Sequence, residues 1–138
     1  MQVQQGRTFI GRFKKGLDLL TCLTQFCKKE NIRLGTFSVM GALSDLTIGY
    51  YLQDEQRYSD GIRLQQDLEI VSCYGNISLK DHEIFVHAHI IASGHDGRCH
   101  GGHVLPGSHI FAAEYSIQEL TGAELTRKFD PETGLSLW

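Results

Sequence analysis

One stretch of this chain is helical by pattern, and the segments around it are not. From Leu17 to Asn31 the apolar residues Leu19, Leu20, Leu23, Phe26 and Cys27 recur at helical spacing. Asp18 suits the positive start of a helix, and Lys28 and Lys29 suit its negative end. The other apolar segments are short or alternate, which is the signature of strands: Arg7 to Phe13, Leu34 to Leu43, Leu46 to Leu52, Leu68 to Tyr74, Ile84 to Ala92, Ser108 to Glu119 and Glu124 to Phe129. In Ser108 to Glu119 the alternation places Phe111, Ala113, Tyr115 and Ile117 on one face and Ala112, Glu114 and Ser116 on the other. The expected fold is therefore α+β, a mainly antiparallel curved sheet of about six to eight strands packed with one main helix. One helix cannot cover both faces of such a sheet, so the sheet curls on itself or a second subunit covers the remainder. Oligomerisation is expected on that ground.

At 138 residues the chain reads as a single domain, 1–138. No apolar run approaches membrane-spanning length, and Met1 to Arg7 does not lead into the apolar segment of a signal peptide, so the cytoplasm is the expected compartment. Cys22, Cys27, Cys73 and Cys99 contain no C-x-x-C pair and read as reduced packing residues. The net charge of -3 is uneven. Residues 1–33 carry seven Lys or Arg against Asp18 and Glu30, while the remainder is acidic. That is a weak basis for non-specific nucleic-acid binding, which wants a concentrated basic face. Gln53 to Asp60 is polar and charged and reads as a surface loop, and Gly75-Asn76 and Lys80-Asp81-His82 read as punctuation before the next strand.

The chemistry is concentrated between Phe85 and His103, where His87, His89, His95, His100 and His103 supply five of the seven histidines. On a strand from Ile84 to Ala92, His87 and His89 share a face with Phe85 and Ile91, while Val86, Ala88 and Ile90 face the other way. Ser93-Gly94-His95-Asp96-Gly97 is a hairpin turn by composition. A three-residue loop of His95, Asp96 and Gly97 pairs Gly94 with Arg98 and sets His89 opposite His103; a two-residue Asp-Gly loop would put His103 on the other face. Gly101-Gly102 removes side chains beside the cluster, as a site needs where a backbone or a ligand approaches closely. A single buried histidine is ordinarily a hydrogen-bonded structural residue. Three on one face suit zinc or another borderline divalent metal and leave a position for water or substrate. His87, His89 and His103 are the expected ligands, with His95 and His100 as solvated turn residues.

With these residues in place the chain resembles the PPC (plant and prokaryote conserved) domain family, also called DUF296. The likeness rests on His87-Ala88-His89, Asp96-Gly97 and Gly101-Gly102-His103. Arg12, Asp18, Gly41-Ala42-Leu43, Glu69-Ile70-Val71-Ser72, Gly75-Asn76-Ile77-Ser78, Glu114, Arg127 and Thr133-Gly134-Leu135 support it in the same order. The resemblance implies an antiparallel sheet with one or a few helices, assembled as a homotrimer. It also implies zinc bound by the histidines of H-x-H and G-G-H, here His87, His89 and His103. Prokaryotic members are mostly stand-alone domains designated DNA-binding. In plant relatives an AT-hook adjoins the domain, and a segment like Asp67 to Ser72 helps to contact transcription factors. This chain has no Arg-Gly-Arg-Pro core, the element that enters the minor groove in those proteins.

Three functions follow from these observations. The first is a trimeric regulatory or interaction module, attached to transcription, whose metal and histidines are structural or sense a small ligand. The second is a zinc-dependent enzyme acting on a small molecule at the open metal position, with Glu114 as candidate general base; the plainer reading of Glu114 is a satisfied strand carboxylate. The third is direct DNA binding. Arg12 and Arg127 suit an anionic ligand or intersubunit ion pairs, and the ion pair is preferred. Tyr50, Tyr51 and Tyr74 read as half-buried strand residues rather than pocket walls.

Overall fold

A computed structural model describes residues 1–138. The single helix α1 spans Leu19–Glu30, with Asp18 as its N-cap accepting from the Thr21 amide at 2.7 Å and Asn31 closing its C-terminus in the left-handed conformation. Twelve strands surround it: β1 (Gln4–Phe13), β2 (Gly35–Leu43), β3 (Leu46–Gly49), β4 (Tyr51–Leu52), β5 (Arg57–Tyr58), β6 (Ile62–Leu64), β7 (Leu68–Lys80), β8 (Glu83–Ser93), β9 (Cys99–Val104), β10 (Ile110–Thr121), β11 (Thr126–Phe129) and β12 (Ser136–Leu137). The main sheet runs β1-β10-β2-β7-β8-β9-β3-β6, with β11 beside the end of β7 and β12 beside β11. Every pairing is antiparallel except β11 with β7. The expected α+β class with one helix on an antiparallel sheet is what the chain forms.

One face of the sheet is the core. Phe37 and Val39 from β2, Ile70 and Cys73 from β7, and Val86, Ala88 and Ile90 from β8 pack against Leu19, Leu23 and Cys27 of α1. Leu20 and Phe26 fill the flank of this layer, where Phe26 meets Phe9 and Tyr115 with ring centroids 5.4 and 5.1 Å apart. Asp18 also ties the helix start to the loop before β10, because its second carboxylate oxygen accepts from the amides of Gly107 and Ser108. The opposite face has no helix. It presents Ile10, Met40, Tyr74 and Ile91, each at least 46% exposed.

Several local expectations give way to longer-range packing. Gly75-Asn76 is not punctuation but the middle of β7. A side chain at Gly75 would run into the His87 carbonyl oxygen and the Phe37 ring, so the glycine permits close strand approach. Leu46 to Leu52 breaks at Tyr50 into β3 and β4, and the expected loop Gln53 to Asp60 folds back as a short 3-10 turn and β5, pairing Tyr51 with Tyr58. Phe111 does not share the face of Ala113, because a bulge between Ile110 and Ala112 turns it outward to 51% exposure. Tyr50 and Tyr74 are exposed rather than half-buried. Cys22, Cys27 and Cys73 are buried free thiols, and burial pushes those of Cys27 and Cys73 up to about 12. Cys99 is exposed, so it is no packing residue.

Candidate metal centre

The centre is built by one hairpin. The Gly94 amide donates to the Arg98 carbonyl at 3.0 Å, Gly97 adopts φ 79°, and His89 stands directly opposite His103. The three-residue loop is therefore the one formed, and its register carries His103 onto the face of His87 and His89. Their ring centroids lie 4.9 to 5.6 Å apart, and one nitrogen from each ring can be chosen so that all three lie within 4.8 Å of one another. Nε2 of His87 and Nε2 of His89 are 3.2 Å apart. Two imidazole nitrogens on one tetrahedral zinc ion stand about 3.3 Å apart, given Zn–N bonds of roughly 2.0–2.1 Å. The His87–His89 pair meets that spacing as it stands, and the three histidines together could hold a metal ion.

Two further observations fit an ion. Nδ1 of His103 is buried without a hydrogen-bond partner, a costly state for a polar atom whose natural remedy is a proton donor or a metal. Burial, and then the neighbouring positive groups, push His87 and His103 down to about 4. Both rings are thus neutral near pH 7, and neutral imidazole is the form that donates a lone pair.

The remaining expected residues fall elsewhere. His95 is exposed in the turn, as anticipated, but His100 lies on β9 opposite the buried Ala92, half-buried and on the far face from the triad. Gly101 and Gly102 make room for backbone rather than ligand: a side chain there would meet the Ile90 and Gly49 carbonyl oxygens at 2.9 and 2.8 Å. Glu114 is exposed on β10, opposite Arg12 on β1, and three strand spacings, about 14 Å, separate it from the histidine strand. The structure does not bring it to the histidines within one chain.

What the sequence did not reveal is the wall beside the triad. Tyr58 packs beside His103 with centroids 4.9 Å apart and the ring planes tilted by 38°, delivered by the β4–β5 hairpin. Arg127, Lys80, Phe85 and the segment Gly134–Leu137 complete a cleft of about 260 Å³ that opens onto His87 and His103. Tyr51 lines it as well, its hydroxyl donating to the Thr133 carbonyl at 2.6 Å. The pairing of Tyr51-Leu52 with Arg57-Tyr58 across a four-residue turn was the one available signal for Tyr58, and it is faint in a charged segment.

Comparison with known proteins agrees with this architecture. A solved PPC protein from Pyrococcus horikoshii is 39% identical, with 99% of this chain and 94% of that one covered at a TM-score of 0.93. A metal-containing protein from Archaeoglobus fulgidus is 36% identical, with 99% and 96% covered at a TM-score of 0.94. Among curated sequences, the bifunctional protein GlmU of Synechococcus sp. is 29% identical over 130 residues; this chain spans only 20% of its length. The model of the Plants and Prokaryotes Conserved (PCC) domain matches residues 1–121, including all three histidines, and the chain belongs to that family, the one also written PPC.

Proposed function

We propose that this protein is a zinc-dependent ligand-binding module, assembled as a homotrimer in the cytoplasm, with a regulatory role. His87, His89 and His103 hold the ion, and the position they leave open takes a small ligand. The observation that carries this reading is the convergence of three imidazole nitrogens within 4.8 Å on one sheet face, with a buried unpartnered nitrogen on His103. The description of the Archaeoglobus fulgidus relative as metal-containing supports it. Three neutral nitrogen donors favour zinc over a hard cation such as magnesium or calcium, which prefers oxygen. Bound zinc would supply Lewis acidity at the open position. The uncovered sheet face with Met40, Tyr74 and Ile91 supports self-association.

Metal analysis of protein purified without chelator tests the centre. About one equivalent of zinc per chain is expected, lost in His87→Ala and His103→Ala. Less than about a tenth of an equivalent, unchanged in both variants, overturns it. Light scattering on the purified protein tests the trimer, with an expected mass of three times the 15.5 kDa chain.

An enzymatic reading of the same centre requires a general base within reach of the ion, and Glu114 does not fill that role from its own chain. Direct DNA binding predicts affinity that falls steeply with salt, a measurement that separates it from ligand binding.

A further inference from the structure

Arg127 is 7% exposed, yet it has no carboxylate partner. None of the ion pairs in the molecule includes it, nor do they include Lys80, its neighbour in register across the β11–β7 pairing. Glu83, the cross-strand neighbour of Lys80, is engaged with Lys28 at 2.6 Å. Two cations thus stand side by side against the Phe85 ring, at 5.1 and 5.7 Å from its centroid, with no anion from the chain.

Anchoring the C-terminal segment explains only part of this arrangement. Arg127 donates Nε–H to Ser78 Oγ at 2.9 Å, Nη1–H to the Ser136 carbonyl at 3.0 Å and Nη2–H to Asn76 Oδ1 at 2.9 Å, and it lies 4.2 Å from the Trp138 ring centroid. Those contacts use three of its five N–H groups, leaving one on each terminal nitrogen. They are all to neutral groups. A buried guanidinium without a counter-ion, beside a like charge, is costly, and an anion that enters the cleft removes that cost. The fork of a guanidinium matches a planar carboxylate.

Lys80, Ser78 and Asn76 alternate onto the same sheet face as His87, which pairs with Asn76. The cationic end and the histidine end are therefore two ends of one cleft. We infer that this cleft binds a small organic acid, with one carboxylate held by Arg127 and Lys80 and a second oxygen donor directed to the open position of the histidine centre. The volume of about 260 Å³ suits a molecule of a few carbons rather than a nucleotide or a peptide. This deepens the proposed function and rests on it only at the histidine end.

Calorimetric titration with malonate, and with malonamide as its neutral counterpart, tests the assignment on zinc-loaded and metal-free protein. Malonate is expected to bind the zinc-loaded chain and malonamide to give no detectable heat. Lys80→Gln, a half-exposed position that leaves the fold intact, should weaken malonate roughly tenfold in both forms. Arg127→Lys should weaken it at least as much, with circular dichroism verifying that the variant is folded. Equal binding of malonate and malonamide, or malonate affinity indifferent to Lys80→Gln, overturns the assignment and leaves the metal centre standing. A chain that retains no zinc but binds malonate in a Lys80-dependent way overturns the metal reading and supports the cleft.

Discussion

Along β8 a single backbone serves two unlike faces. Val86, Ala88 and Ile90 turn toward α1 and are nearly solvent-free, whereas His87, His89 and Ile91 turn away from the helix into a layer that is only partly covered. Residues one position apart thus sit in different physical regimes. On the covered face each side chain is held by dispersion and burial, and chemistry would be a liability there. On the open face the sheet contributes rigidity and spacing, and side chains are free to be polar. The difference predicts that the core can be damaged without changing the centre's geometry, and that the centre can be dismantled without unfolding the chain.

The first way to break this separation is from the core side. Ile90→Ala removes a side chain that is 2% exposed and should cost about 2–4 kcal/mol in urea denaturation. The metal content of the fraction that remains folded should not change. Coupled loss of metal at concentrations where the variant is fully folded would show that the two faces are not independent.

The next effect comes from the other side. His87→Ala should lower zinc affinity by on the order of a hundredfold or more, about 2.7 kcal/mol, read by competition with a chromogenic chelator. Unfolding of the metal-free variant should stay within about 1 kcal/mol of the parent, because a half-buried imidazole is lost rather than a core side chain.

Acid sharpens the contrast further. The folded chain holds His87 and His103 down at about 4, whereas the unfolded chain takes up protons at the ordinary 6.5. Unfolding therefore binds protons between these values, so the metal-free protein is most stable above 6.5 and loses stability as the pH falls toward 4. After allowance for solvent screening the pair should account for about 2 kcal/mol by pH 5. Denaturation midpoints measured across that window in the parent and in the His87→Gln, His103→Gln double variant check this; an equally steep acid loss in the double variant assigns it to other groups.

The smallest expected effect is at the helix entrance. Asp18→Ala removes the cap of Thr21 and the two bonds to Gly107 and Ser108, and should cost about 1–2 kcal/mol without altering zinc binding. Thermal unfolding beside metal analysis would verify both halves.

The legible part of the molecule was the part governed by local periodicity. The period of two on β8 separates His87 and His89 from Ala88 without any knowledge of the rest of the chain, and the helix announces itself by Leu19, Leu23 and Cys27. The cleft was not legible, because its parts are far apart in the chain and meet only through pairing. Arg127 reaches the centre through a short parallel contact between β11 and β7, and Tyr58 through a hairpin inside a charged segment. Gly75 misled for a related reason: glycine signals a turn when seen alone, and only the approach of Phe37 and the His87 carbonyl shows why it belongs in a strand. The bulge beside Phe111 likewise reverses a face that alternation alone assigns wrongly.

The turn between β8 and β9 stores the composition of the centre as a number rather than as a set of side chains. His95, Asp96 and Gly97 touch none of the three imidazoles, yet the pairing of Gly94 with Arg98 across them is what sets His103 opposite His89; closing on the Asp-Gly pair alone would set Val104 there and turn His103 to the other face. Replacing residues in that turn leaves the donor set untouched as long as Gly94 keeps Arg98 as its partner, whereas a slip of β9 by one residue removes a donor from a distance.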